Sequence, residues 1–306
     1  MRIALVDIGS NSTKCCVYEI EKREIKPLFF ETAYNRIGEK LAENKKIENQ
    51  KIFELINVLN SFKKEIEKYD SQETICLATW ALRYAENAKT VVKEVEDNAG
   101  LKINILNEYD ENLYTFYTLY FFKIFQAHKT ALNIGGGSIE ISTGSQSLEN
   151  TITLQPGLVT LKEKFFDDPY IVNFAKVKRA TDYIWKILKQ QNIKSQVVPN
   201  TPIIGIGGTF SALFDIFLKK LKKDVEIIEP KLIKIATTSF TLLFNKVINW
   251  QPQNFEKQFG LHPKRADIFL PALVVIKSLS DVLEFTDIYI STLSMREGYI
   301  YYHYLK

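Results

Sequence analysis

Residues 3–20, IALVDIGSNSTKCCVYEI, decide how the chain is read. Ile3, Ala4, Leu5, Val6 and Ile8 make an almost unbroken apolar run, as in a strand buried on both faces. Asp7 sits near the end of that run, and Gly9 lets the chain turn and opens backbone N–H groups. Ser10, Asn11, Ser12 and Thr13 then place short hydrogen-bonding side chains in a row, and 14–20 reads as the returning strand. An acid beside a turn of N–H and hydroxyl donors suits a metal-bound phosphate: the donors hold oxygens and the acid holds the cation, directly or through water. An ordinary hairpin with a polar turn carries the same pattern, so the stretch is weighed with its neighbours.

Composition narrows the classes. The chain has 306 residues, 46% hydrophobic and 25% charged, which is globular and long enough for two domains. The net charge of +4 is mild, and its lysines alternate with acids, as in KKEIEK at 63–68. That is a solvated helix face; with no helix-turn-helix or zinc-finger pattern, no nucleic-acid partner is expected. A small polyanionic substrate fits the charge at least as well. Cys15, Cys16 and Cys76 lie in apolar runs and read as small core residues in a reducing compartment. The chain enters its first strand without a signal peptide, and no stretch reaches membrane-spanning length, so a cytoplasmic protein without a membrane partner is expected. The aromatic run YTFYTLYFFKIF at 114–125 reads as a buried helix.

Along the chain, a third strand is expected over 24–32 and a helix over 50–69 with Ile52, Phe53, Leu55, Ile56, Leu59, Phe62 and Ile66 at helical spacing. A short strand over 73–78 precedes Arg83, and a helix to about Asn98 is closed by Gly100. A strand over 102–106 leads to Asn107, a candidate cap for a helix whose first turn holds Glu108, Asp110 and Glu111. The second half restarts the pattern: strands over 130–134, 139–142 and 151–154, helices over 158–166 and 172–191, and a strand over 201–206. A helix with Phe210, Leu213, Phe214 and Phe217 on its apolar face follows; the chain then reads as largely helical to Leu283, with a last strand over 287–291 and an aromatic helix at the end. Two strand, glycine turn, strand units about 125 residues apart suggest two similar domains with a cleft between them.

Three glycine-bearing turns follow apolar strands: Gly9 with Ser10 and Asn11; Gly135, Gly136, Gly137 and Ser138; and Gly205, Ile206, Gly207, Gly208 and Thr209. The third opens a helix, whose N-terminus favours anions. None is a P-loop, because no Gly-Lys-Ser/Thr follows, and none sits in a GxGxxG context.

DIGSNS at 7–12, RIGE at 36–39, ATWALRYAEN at 78–87, NIGGGSIE at 133–140, GIGGT at 205–209, KRAD at 264–267 and MREG at 295–298 cover nearly the whole chain. In this order and spacing the chain resembles the exopolyphosphatase/guanosine pentaphosphate phosphatase family of the actin-like ATPase superfamily, in its short two-domain form. The resemblance implies an α/β fold of two RNase H-like domains with an inter-domain cleft, divided as 1–126 and 127–306. A hinge is expected near 120–130, and the last helix is free to cross back onto the first domain. It further implies removal of a terminal phosphate from polyphosphate or a guanosine penta- or tetraphosphate, with Mg²⁺ or another divalent cation and an attacking water. Asp7, Asn133 and Glu140 would hold the metal. Ser10, Asn11, Ser12, Gly136, Gly137, Ser138, Gly207, Gly208 and Thr209 would cradle phosphate oxygens, and Arg83 would clamp the substrate. A carboxylate near residue 110 would deprotonate water: Asp110 matches the family's glutamate best, with Glu108 or Glu111 as substitutes.

Three departures bear on activity. Asp110 is one methylene shorter than the family's glutamate, and Asn133 stands where the family has an aspartate, bringing no charge to a metal. Trp80 replaces a serine beside Arg83. A catalytically weakened phosphate or nucleotide sensor is therefore the alternative to a hydrolase, and a sugar or acetate kinase of the same superfamily is a third reading. Arg265 and Asp267 could face the cleft, but an internal ion pair is the favoured reading. A homodimer is compatible with the sequence.

Overall fold

Strands and helices sort into two contact-defined units, Met1–Glu111 with Leu305 and Asn112–Tyr304 with Lys306. The structure, a computed structural model, describes residues 1–124, 127–168, 172–198, 201–222 and 225–306.

The first unit runs β1 (Arg2–Ile8), β2 (Thr13–Glu21), β3 (Glu24–Ala33), α1 (Leu41–Asn44), α2 (Asn49–Glu67), β4 (Glu73–Ala78), α3 (Trp80–Tyr84), α4 (Ala88–Ala99) and β5 (Ile103–Ile105). Its sheet has the order β3-β2-β1-β4-β5. β1 to β3 form an antiparallel meander; β4 and β5 join parallel, with α2 and then α3 and α4 in the connections. Central β1 is buried from Ile3 to Ile8, which explains its unbroken apolar run. Ala4, Val6 and Ile8 share a core with Ile52, Leu55, Leu59 and Phe62 of α2 and Val91 and Val95 of α4. Phe53 lies off that face at 64% exposure. Gly100 closes α4 at φ 66°, its N–H donating to the Glu96 carbonyl.

α5 (Glu108–Tyr117) follows, and the division between the units falls within it. The second unit continues with β6 (Lys129–Ile134), β7 (Ile139–Gly144), β8 (Leu148–Leu154), α6 (Leu158–Phe165), α7 (Phe174–Gln190), β9 (Ile203–Ile206) and α8 (Gly207–Asp215). Then come β10 (Val225–Glu229), β11 (Leu232–Ala236), α9 (Thr237–Val247), α10 (Pro252–Phe259), α11 (Pro263–Ala266), α12 (Phe269–Leu283), β12 (Asp287–Ser291) and α13 (Met295–Ile300). Its sheet order is β10-β11-β12-β9-β6-β7-β8. Read from β8 to β12, this is the arrangement of the first unit: an antiparallel meander followed by two parallel strands. The repeat seen in the sequence is therefore a repeat of topology, in the RNase H-like order.

Two expectations are corrected. The stretch expected to be helical up to Leu283 contains the hairpin of β10 and β11, which turns at Pro230 and extends the sheet on the outer side of β12. β11 buries Leu232, Ile233 and Ile235, whereas Ile227 on edge strand β10 is 65% exposed, so the hairpin carries only part of a buried-strand pattern. The aromatic run does not form one helix: α5 ends at Tyr117 and a 3₁₀ turn covers Thr118–Phe121. The expected boundary after residue 126 and the hinge near it fall partly on residues outside those described; by contacts alone the chain divides after Glu111. The reason is packing. Tyr114 and Tyr117 meet His303, Tyr301 and Tyr302 of the closing helical segment, and a Cβ on Gly298 would come 1.8 Å from the Tyr114 carbonyl. Only a glycine at 298 allows that approach.

Cys15, Cys16 and Cys76 are buried and unbridged. Burial pushes the Cys76 thiol up to about 12, the behaviour of an inert core residue. Among the described residues no helix is long and apolar enough to cross a membrane.

Candidate active site

In the first unit, register places Asp7 at the C-terminal end of β1, opposite Lys14 on β2 and Leu77 on β4. The Lys14 ammonium lies 3.7 Å from its carboxylate. The turn that follows is closed by Gly9 N–H donating to the Ser12 carbonyl at 3.1 Å, and Ser10, Asn11 and Ser12 are buried. The 36–39 loop, RIGE, braces it. Gly38 N–H donates to the Ser10 carbonyl at 2.9 Å, and Arg36 Nε donates to Asn11 Oδ1 at 3.1 Å. A Cβ on Gly38 would lie 2.6 Å from Ser10 Cβ, so this glycine lets one loop rest on the other.

α5 supplies the acids. Asn107 caps it, its Oδ1 accepting from Asp110 N–H at 2.8 Å, and its Nδ2 donates to Asp110 Oδ2 at 2.9 Å. Asp110 is thus held at the helix start, half-buried, and Glu108 is exposed. Glu111 is 5% exposed and accepts from Arg83 Nη1 at 2.9 Å. Burial raises its pKa from 4.5 to about 7, against the lowering pull of Arg83 and with help from Asp7 and Glu108. The same Nη1 donates to the Leu106 carbonyl at 2.8 Å, while Arg83 Nη2 is buried with no hydrogen-bond partner among the described residues. A buried orphan donor of a cation is costly unless a ligand oxygen completes it.

In the second unit, the 135–138 turn is closed by Gly135 N–H to the Ser138 carbonyl at 2.9 Å. The start of α6 docks on it: Gly157, Leu158 and Val159 N–H donate to the carbonyls of Gly137, Gly135 and Gly136 at 2.9, 3.0 and 2.8 Å. A Cβ on Gly157 would lie 2.3 Å from the Gly137 carbonyl carbon, so no larger residue fits there without moving the turn. Thr209 Oγ1 donates to the Ile134 carbonyl at 2.9 Å, tying α8 to β6. At the start of α8 a Cβ on Gly208 would lie 2.5 Å from Arg265 Nη2. The expected pair of Arg265 with Asp267 is not formed: among the described residues Arg265 has no ion-pair partner, and its guanidinium covers the third glycine turn. A free guanidinium on a helix N-terminus suits an anion.

The expected metal ligands do not fit a directly bound cation in the second unit. Asn133 Nδ2 donates to Glu140 Oε2 at 2.8 Å, and Ser138 Oγ donates to Glu140 Oε1. N–H and O–H donors turned on a carboxylate are not the oxygen-only set that Mg²⁺ takes. No group of three or more His, Cys, Asp or Glu among the described residues is placed to hold a metal ion. Asp7 is the remaining expected ligand, a carboxylate beside Lys14 at a donor-rich turn. Sequence reasoning missed Arg36 and Gly157, and it favoured an ion pair for Arg265 over a place at the site. KRAD and RIGE were visible as motifs, but what these residues touch depends on loops distant in sequence.

Two repeated sheets, each with a glycine turn following its first strand and a brace for that turn, define an α/β protein of the actin-like type. The chain belongs to the Ppx/GppA phosphatase family, whose profile matches residues 16–306. It is 28% identical over 291 residues to a bifunctional 3-dehydroquinate synthase/phosphatase of Fusobacterium nucleatum, covering 91% of this chain and 43% of that protein; the chain thus spans less than half of that relative. It is 29% identical over 173 residues to exopolyphosphatase 1 of Mycobacterium tuberculosis, 55% of this chain and 50% of that one. A crystal structure of an exopolyphosphatase from Cytophaga hutchinsonii shares the fold at TM-score 0.89 and 18% identity, covering 98% and 97% of the two chains.

Proposed function

We propose that this chain hydrolyses the terminal phosphoanhydride bond of inorganic polyphosphate or of a guanosine penta- or tetraphosphate, with Glu111 as the general base. The observation that carries this reading is the buried Glu111, with a pKa of about 7, held by Arg83. A base that must deprotonate water near neutrality needs such a value and a fixed orientation. Arg83 orients Glu111 through Nη1 and offers Nη2 to a phosphate oxygen. The backbone donors of the 9–12 and 135–138 turns suit phosphate oxygens, as does Arg265 at the start of α8. In the chemical step the water proton passes to Glu111, the water oxygen bonds to phosphorus, and the bridging oxygen leaves with the shortened chain. Mg²⁺ brought in with the polyanion would supply charge neutralisation, with Asp7 the carboxylate to meet it.

The names of the family and of the relatives support this substrate class. The test is release of inorganic phosphate from long-chain polyphosphate and from guanosine pentaphosphate. Release that depends on Glu111 supports hydrolysis. A second reading, a sensor that binds without hydrolysing, is favoured by the uncharged Asn133 beside Glu140; it predicts measurable affinity for both compounds and no release.

A further inference from the structure

Glu140 is 1% exposed, and a carboxylate that deep needs a counter-charge or a full set of donors. Both of its oxygens have donors here: Ser138 Oγ on Oε1, and Asn133 Nδ2 on Oε2 at 2.8 Å. The contact with Asn133 is built into the sheet, because Asn133 and Glu140 are directly opposite in the register of β6 and β7. The other end of the amide lies against Gly207. A Cβ on Gly207 would lie 2.5 Å from Asn133 Oδ1, and Gly207 sits at φ 83°, where side chains are strained. The amide hydrogens thus face the acid, and the carbonyl faces the third glycine turn. An aspartate at 133 would bring a second carboxylate against the buried Glu140, and that pair would require a cation.

We propose that Asn133 is a positioning residue that stands in for a cation: its amide satisfies Glu140, and Glu140 in turn holds Ser138 and the 135–138 turn, so the second unit keeps this turn in shape with no metal on Glu140. The proposal concerns how the turn is held and stands or falls independently of hydrolysis. It is tested by thermal unfolding of the full chain in EDTA and in millimolar Mg²⁺ for wild type, N133D and E140Q. Wild type and E140Q are expected to respond to Mg²⁺ alike, because no metal sits on Glu140. N133D is expected to melt several degrees lower in EDTA and to recover with Mg²⁺. A Mg²⁺ stabilisation of the wild type that E140Q loses would overturn the proposal. So would an N133D protein that melts like wild type, or that stays low in both buffers. If N133D does not fold, the comparison of wild type with E140Q still decides.

Discussion

Arg83 Nη1 lies 2.9 Å from Glu111 Oε2 and 2.8 Å from the Leu106 carbonyl, so one guanidinium nitrogen fixes both the acid and the chain leading into its helix. α3, which carries Arg83, follows β4, and β4 pairs parallel with β1, which ends in the first glycine turn. The order of the sheet therefore brings Arg83 to the same end of the sheet as that turn, and burial raises the acid it holds.

The Glu111 pKa predicts a pH profile. Base activity should rise through about pH 7, where the carboxylate ionises. Stability should run the other way. Between 4.5 and about 7 the folded chain keeps a proton that the unfolded chain has released. The stability this provides is complete below the lower value and is lost as pH rises through the upper one. Urea unfolding of wild type and E111Q across that interval checks this: the wild type should lose stability relative to E111Q as pH rises.

Replacing Arg83 with alanine should leave Glu111 buried without its cation, at a cost of about 3 kcal/mol and with the acid pushed further up. R83K should keep more stability than R83A but lose the fork, so KM for a phosphate chain should rise even though much of the stability is retained. Unfolding curves and steady-state kinetics on the same two variants separate these effects.

Arg265 makes the opposite prediction. It has no ion-pair partner among the described residues, so R265A strands no buried acid and should change stability by no more than about 0.5 kcal/mol. Its affinity for pyrophosphate or polyphosphate should fall at least tenfold, and the salt dependence of binding should become shallower. Calorimetric titration at two salt concentrations reads both.

The two braces can be tested through their glycines. G38A and G157A each place a Cβ under 3.0 Å from the neighbouring turn, at Ser10 and at Gly137 respectively. Each should cost about 1–3 kcal/mol and weaken anion binding beyond what the loss of folded protein explains. An alanine at Gly260, where a Cβ meets nothing within 4 Å, leaves both turns untouched and serves as the control for binding.

Much of this was legible in the sequence, because it is written locally. The β1 run, the turn residues 9–12 and 135–138, the cap at Asn107 and the closing Gly100 each follow from periodicity or from a single residue's backbone preference. The hairpin of β10 and β11 was not, because an edge strand with an exposed Ile227 shows only half of a strand's signal. Three acids in one helical turn look alike in sequence. Only the position of Arg83 separates Glu111 from Asp110, and that contact spans residues far apart in the chain. The partnerships of Arg265 with the third turn and of Asn133 with Glu140 are likewise products of sheet and loop packing.

The most direct test of the central claim is phosphate release from long-chain polyphosphate by E111Q and D110N beside wild type, at a pH above 7. The account predicts that E111Q loses about 10²–10⁴-fold in turnover while D110N, whose carboxylate is held by Asn107, stays within about tenfold of wild type. Full activity in E111Q, or a collapse in D110N with E111Q active, would contradict the assignment of Glu111 as the base.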